Sequence, residues 1–222
     1  MAPARDDQVR ERLRAIRVFD DDLPGFDTDT APDHPAELFG DWLEAAIGAG
    51  VRAPHAMTLS TVDAEGRPNA RVLLLKGLDD GRWQFASSRT SRKGQEIAAT
   101  SWGAATFYWR EQGRQVRLRG RILDGGPEAA ARDFLARTPA ARLESLAGRQ
   151  SELLEDPGDL VAAHEEARRR LEDEPDLVPE HWALYHLVPD EVEFWQADAD
   201  RRHVRLRYRL ADGAWTRQAL WP

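Results

Sequence analysis

The sequence predicts one mainly β domain with flanking helices, an α+β fold whose strands run antiparallel in a barrel or curled sheet. Five short strand-like segments lie between residues 56 and 123, most of them separated by tight turns. Four more close the chain between residues 182 and 220. Five strands in succession with short turns, and most helical segments lying before and between the two runs, point to an antiparallel barrel or curled sheet instead of a βαβ fold. At 222 residues the chain suits one domain, or one domain that needs a partner to complete its core. Residues 1–34 read as an N-terminal helix and arm, and residues 35–222 as one continuous domain.

Taken in order, residues 6–18 form a short charged helix, and residues 19–35 (FDDDLPGFDTDTAPDHP) an acidic extended arm of the kind that wraps another surface. Residues 34–48 place Leu38, Phe39, Trp42, Leu43 and Ile47 at spacings of three and four, an amphipathic helix that Gly48 and Gly50 end. Residues 56–62 alternate as a strand, and 63–68 turn the chain into the strand 71–76. A Gly/Asp turn joins that strand to 82–87, after which a helix opens at Thr90 or Ser91. Strands 103–110 and 114–123 form a hairpin about Glu111–Gly113. Helices follow at 127–137 and 139–147, then a polar loop over 150–159. The helix 160–171 has Leu160, Ala163, Ala167 and Leu171 on one side and Glu165–Arg169 and Glu166–Arg170 spaced as ion pairs. After an acidic turn, strands 182–188, 191–196, 203–209 and 215–220 return the chain to the sheet.

Composition narrows the function. A net charge of −8 leaves no broad basic surface for nucleic acid. With no cysteine there is neither a thiolate zinc site nor a cysteine nucleophile, and six histidines without paired spacing point away from a metal site. No run approaches the roughly 18 apolar residues of a membrane span, and the charged N-terminus lacks a signal-like core, so a cytoplasmic protein is expected.

Isolated basic clusters therefore point to small anions. Arg92 and Lys93 fall in the first turn of a helix, where free N–H groups and the helix dipole already make the site positive. Each cation there costs about 0.3–1 kcal/mol unless an anion is near. With Ser87 and Ser91 they make a phosphate cradle at a helix start; the alternative is a solvated basic turn balanced by Asp79 and Asp80. A second dense cluster, EVEFWQADADRRHVR (191–205), alternates from His203 so that Arg205 and Arg207 share its face while Val204, Leu206 and Tyr208 share the other. Beside Trp195, such a cationic face suits an aromatic anion, or else a solvated strand paired with Asp198 and Asp200. Arg114–Gln115 and Gln150–Ser151 add amides able to read a heterocycle's edge.

The ordered set RVLLLK (71–76), SRKG (91–94), RQV (114–116), RQS (149–151), EFWQ (193–196) and RxHxR (201–205) resembles the pyridoxamine 5′-phosphate oxidases over residues 35–222. The resemblance implies a split β-barrel homodimer with FMN at the subunit interface and dimerisation strands from about residue 180. It implies oxidation of pyridoxamine or pyridoxine 5′-phosphate to pyridoxal 5′-phosphate, with O2 leaving as H2O2. By position, Arg71, Ser87, Arg92 and Lys93 would hold the FMN phosphate and ribityl chain, while Val72, Leu73 and Lys76 lie along the flavin. Gln115, Gln150, Ser151, Trp195 and Arg205 would complete that site, partly from the partner subunit. Lys76 and Arg137 match contacts to the substrate phosphate, and Arg201 and His203 match groups near the reacting carbon. Arg71 and Lys76 are five apart in a strand, so they reach one site only if the strand bends, bulges or ends.

Some positions depart from the family. Asp133 stands where the family has a phosphate-binding tyrosine and Ala141 where it has a serine; Arg202 and Val204 replace an aliphatic residue and an acid or amide. Spaced i,i+4 on a helix, Asp133 and Arg137 are expected to pair. The alternatives are a related FMN oxidase acting on a phenazine precursor, and a non-catalytic flavin- or pyridoxal-phosphate-binding barrel.

Overall fold

The computed structural model describes residues 5–19 and 22–222; positions 20 and 21 of the predicted arm lie outside the described residues. The chain runs α1 (Arg5–Ala15), α2 (Pro35–Gly48), β1 (Ala56–Val62), β2 (Pro68–Leu74), β3 (Gly77–Asp79), β4 (Arg82–Ser88), α3 (Arg92–Thr100), β5 (Trp102–Trp109), β6 (Arg114–Asp124), α4 (Gly126–Leu135), α5 (Pro139–Ala147), α6 (Pro157–Asp173), β7 (Trp182–Gln196), β8 (Val204–Ala211) and β9 (Ala214–Ala219). All strands join one antiparallel curled sheet in the order β2-β1-β5-β6-β7-β4-β3, with β8 and β9 added beyond β7. A half-barrel results, flanked by helices.

The organising element is β7, longer than the sequence suggested. Residues 182–188 and 191–196 are one strand that passes through Pro189 and pairs with β6 from Tyr185 to Gln196. Its other flank is divided: Trp182–Leu187 pair with β4, and Glu191–Gln196 pair with β8. The register shifts between Arg119 and Gly120, opposite Pro189, and a bulge is where a strand tolerates a proline without an N–H. A side chain at Gly120 would put its Cβ 2.0 Å from the Val188 carbonyl oxygen, so only glycine allows this crossing.

Packing explains the rest. From α2, Leu38, Phe39, Trp42 and Ala46 enter the concave side of the sheet; Ile47, expected on the same stripe, is exposed. Phe39 meets Phe107 and Trp83 edge-on at centroid distances of 4.8 and 5.4 Å; burying a ring of this kind contributes about 2–3 kcal/mol. The arm wraps its own chain: the Tyr208 hydroxyl donates to the Pro32 carbonyl at 2.7 Å, Arg217 donates to the Ala31 carbonyl, and Phe26 packs on Trp42.

Other differences from expectation are local. The Gly/Asp turn contains the short β3, so β4 pairs with β3 and β7 while β2 pairs with β1. The predicted polar loop 150–159 gives way to α6 at Pro157, where Asp156 caps the helix by accepting from the Gly158 N–H. On α6, Glu166 pairs with Arg169 at 2.9 Å, one position short of the expected spacing. Helix α4 ends at Leu135, leaving Arg137 beyond it. That end matters for the site.

Candidate active site

The predicted residues fall into three groups. The first is built on α3. Ser91 caps the helix, its Oγ accepting from the Gly94 N–H. Gly94 must be glycine, because a Cβ there would lie 2.4 Å from the Arg89 carbonyl oxygen. This close turn buries Lys93 to 6% exposure. Its Nζ donates to the Gln150 Oε1 at 2.8 Å and the Ser91 Oγ at 3.2 Å, both neutral. Burial, and secondarily the Arg71 charge, pushes the Lys93 ammonium down to about 8. The Ser151 hydroxyl lies 3.5 Å from the Arg92 N–H, and Ser151 holds a φ of 79°, costly for a residue other than glycine. Ser87 is buried at the end of β4.

A carboxylate unforeseen in the sequence organises this group. Glu96, 5% exposed, accepts from Thr61 Oγ1 at 2.5 Å, Asn69 Nδ2 at 3.0 Å, Arg71 Nη2 at 3.2 Å and Arg92 Nε at 3.2 Å. Burial pushes its pKa up, but the Asn69 and Thr61 hydrogen bonds and the Arg71 charge outweigh that and hold it below the usual carboxylate range. Arg92 therefore has a counterion, contrary to the expectation of an unanswered cation. That counterion is neither Asp79 nor Asp80, since Asp80 pairs with Arg82. The i,i+4 spacing of Arg92 and Glu96 was the available signal.

The second group is a row across the sheet. Tyr108, Gln115, Trp195 and Arg205 are successive cross-strand partners on β5, β6, β7 and β8. Arg205 donates to Glu193 Oε1 at 2.9 Å and to the Trp221 carbonyl at 2.9 Å. Trp195 packs on His203 at 4.9 Å and on Phe19 of the arm at 5.8 Å. His203 Nδ1 accepts from the Asp198 N–H at 3.1 Å, which leaves the neutral ring's proton on Nε2. Arg201 is exposed, with a φ of 63°. On the same flank of the molecule, Ile16, Val18, Phe19, Asp198, Arg201 and His203 line a cavity of about 420 Å³.

The third group surrounds Lys76. Strand β2 ends at Leu74, and the Lys76 N–H donates to the Gln84 carbonyl, so its side chain leaves Arg71 behind. Lys76 Nζ lies 3.3 Å from Asp133 Oδ1, and the Trp182 Nε1–H donates to Asp133 Oδ2 at 2.9 Å. The expected Asp133–Arg137 ion pair does not form, because α4 has ended. Arg137 instead donates to the Ala141 carbonyl and Ser145 Oγ and stacks on the Trp182 ring at 4.4 Å. Burial lowers the Arg137 pKa, with Asp133 and Glu144 opposing. Lys76 and Arg137 thus lie on either side of one unit, Lys76 on the Asp133 carboxylate and Arg137 on the Trp182 ring that donates to it.

A curled antiparallel sheet with a cation cradle at a helix start and an aromatic-amide row across its strands places the chain in the class of split β-barrel proteins. Residues 43–156 match the family model described as pyridoxamine 5′-phosphate oxidase, and residues 182–222 match the pyridoxine 5′-phosphate oxidase C-terminal dimerisation region. A pyridoxine/pyridoxamine 5′-phosphate oxidase from Pseudomonas fluorescens SBW25 is 42% identical over 86% of this chain and 90% of its own. A second, from Pseudomonas paraeruginosa PA7, is 39% identical over 89% and 93%. Among solved structures, PhzG from Burkholderia lata 383, in complex with tetrahydrophenazine-1-carboxylic acid, superposes with a TM-score of 0.84 at 33% identity, covering 90% of this chain and 99% of its own. The chain belongs to the pyridoxamine 5′-phosphate oxidase family and is an oxidoreductase of that kind.

Proposed function

We propose that the protein is a cytoplasmic, homodimeric FMN-dependent oxidase that converts pyridoxamine or pyridoxine 5′-phosphate to pyridoxal 5′-phosphate, reducing O2 to H2O2. The observation that carries this reading is Lys93: a buried ammonium hydrogen-bonded to neutral Ser91 and Gln150, sharing the single carboxylate Glu96 with Arg71 and Arg92, at the start of a helix. Such a group is stabilised by a phosphate, and it fits FMN. Arg71, Arg92, Lys93, Ser87 and Ser151 would hold the phosphate and ribityl chain, and Val72 and Leu73 would lie along the ring system. FMN, when bound, supplies the acceptor for two electrons and a proton from the substrate carbon and passes the electrons to O2.

Two features support a dimer. Gln115, Trp195 and Arg205 belong to a different group from the cradle, which suits a site shared between subunits. Val72, Leu74 and Tyr108 expose apolar surface on the same face of the sheet, which a second copy would cover. His203, donating from Nε2, and Arg201 would orient the substrate ring and stabilise charge at the reacting carbon, and Lys76 would lie at the substrate's far end. The purified protein should carry flavin absorption and release peroxide with pyridoxamine 5′-phosphate. Flavin without turnover on any aromatic substrate would favour a non-catalytic binding protein. The Lys76–Asp133 pair and the similarity to PhzG favour, as a second reading, an aromatic substrate without phosphate, on which the same peroxide assay would respond.

A further inference from the structure

The cavity that Lys76 enters, about 610 Å³, is lined by Lys76, Asp79, Gln84, Arg132, Asp133 and His186 among others. Its charged lining is two cations, Lys76 and Arg132, against two carboxylates, Asp79 and Asp133. Asp133 is the deeper carboxylate, its side chain 10% exposed, and it is fixed at both oxygens, by Lys76 on one and by Trp182 on the other. Arg137 is turned away to α5. The lining therefore mixes donors (Lys76 Nζ, the Arg132 guanidinium, the Gln84 amide) with acceptors (Asp133, Asp79, the Gln84 carbonyl oxygen). A hydroxyl both donates and accepts and can use both kinds. A phosphate dianion offers acceptors alone, must compete with Asp133 for Lys76, and lies beside a fixed negative charge.

We propose that Asp133 is a specificity-determining residue that removes the pocket's preference for a phosphate ester, so that the unphosphorylated amine or alcohol is accepted about as well as the 5′-phosphate. This rests on the oxidase reading above and adds to it the class of group taken at the far end of the substrate: an uncharged hydroxymethyl as readily as a phosphate. Pyridoxamine would then be oxidised with the same balance as its ester, the amine, O2 and water giving pyridoxal, ammonia and H2O2.

The test is calorimetric titration of the flavin-loaded protein with pyridoxal 5′-phosphate and with pyridoxal. The two affinities should lie within tenfold of each other. Asp133→Asn keeps an acceptor for the Trp182 N–H but removes the charge; it should tighten the phosphate ester about 10–30-fold and change pyridoxal by less than threefold. Adding Lys76→Gln to Asp133→Asn should abolish that gain, which an effect transmitted through altered folding would not do. A parent protein that prefers the ester by a hundredfold, or an Asp133→Asn protein with an unchanged ratio, overturns the proposal. Peroxide release, measured alongside, addresses the oxidase reading separately: binding ratios as expected without turnover would count against that reading alone.

Discussion

Two lysines in this molecule sit beside carboxylates, and only one of them is left to hold an anion. At the start of α3, Glu96 is shared by Arg71 and Arg92, so three cations including Lys93 face one carboxylate, and Lys93 is bonded to neutral groups. In the cavity below α4, Lys76 is paired directly with the Asp133 carboxylate, and the two cations of the lining face two carboxylates. The lesson is that an anion site is defined by how its counterions are distributed, and a basic residue at the expected position is not enough. The first region keeps a surplus of positive charge in a buried place; the second is already neutral.

Removing Glu96 should break this comparison most severely. Glu96→Gln leaves Arg71 and Arg92 without their shared carboxylate, and losing one partner of a mostly buried pair costs about 2–3 kcal/mol after discounting for the partial exposure of Arg71. Urea unfolding of the flavin-free protein would measure it. The same linkage gives a pH signature. Because the folded-state pKa of Glu96 is depressed, its stabilisation is present above the ordinary carboxylate range of about 4–4.5 and is lost as pH falls through the lower folded value. The Gln variant should therefore show a flatter acid limb than the parent.

Lys93→Gln comes next and separates cofactor binding from folding. FMN affinity should fall about 10–100-fold for the loss of a buried charge-assisted contact, while the flavin-free protein keeps or gains stability. The Lys93 pKa is lowered to about 8, so its charged form is disfavoured in the folded state. Flavin-free stability should rise between about pH 8 and 10.4, where the unfolded chain alone holds the proton. FMN affinity should move oppositely, weakening above pH 8 as the ammonium is lost. Fluorescence titration of FMN at pH 7 and 9 checks this, and parallel trends would show that Lys93 is not the phosphate's counterion.

Trp182→Phe probes the neutral region. It keeps a ring beneath Arg137 but removes the hydrogen bond to Asp133 Oδ2, worth about 1.5–3 kcal/mol because the acceptor is charged and shielded. Asp133 would then be held by Lys76 alone. Thermal unfolding should register the loss, and FMN affinity should change by less than threefold if the two regions are independent.

How much of this was legible follows from the range of the interactions. Alternation placed nearly every strand, and a helix opening at Thr90 or Ser91 was readable because a helix start is a local event; the choice of Ser91 as cap and the close approach at Gly94 come from the structure. The continuity of β7 through Pro189 was not, since it depends on Gly120 of a neighbouring strand admitting the Val188 carbonyl. Likewise, Asp133 and Arg137 have the spacing of a helical pair, but where α4 ends decides the matter, and Asp133 finds Lys76 from a distant segment. Glu96 was within reach as the i,i+4 neighbour of Arg92; its bonds to Thr61, Asn69 and Arg71 come from β1 and β2 and needed the fold.

The smallest effect is expected at Arg92, and it decides whether the helix start acts through both its cations or one. Arg92 and Lys93 are adjacent and equally charged, so sequence alone treats them alike. In the structure Lys93 is buried with neutral partners, whereas the Arg92 side chain is 67% exposed and already paired with Glu96. An exposed i,i+4 pair contributes about 0.3–0.5 kcal/mol and is screened by salt. Arg92→Gln should therefore lower stability by no more than about 0.5 kcal/mol and weaken FMN binding less than tenfold, with the loss shrinking as ionic strength rises. Lys93→Gln should keep most of its effect at high salt, because its charge is shielded from water. Equal losses in the two variants, with equal salt dependence, would mean that Arg92 leaves Glu96 to bind the cofactor and that the distinction between the two cations disappears once FMN is in place.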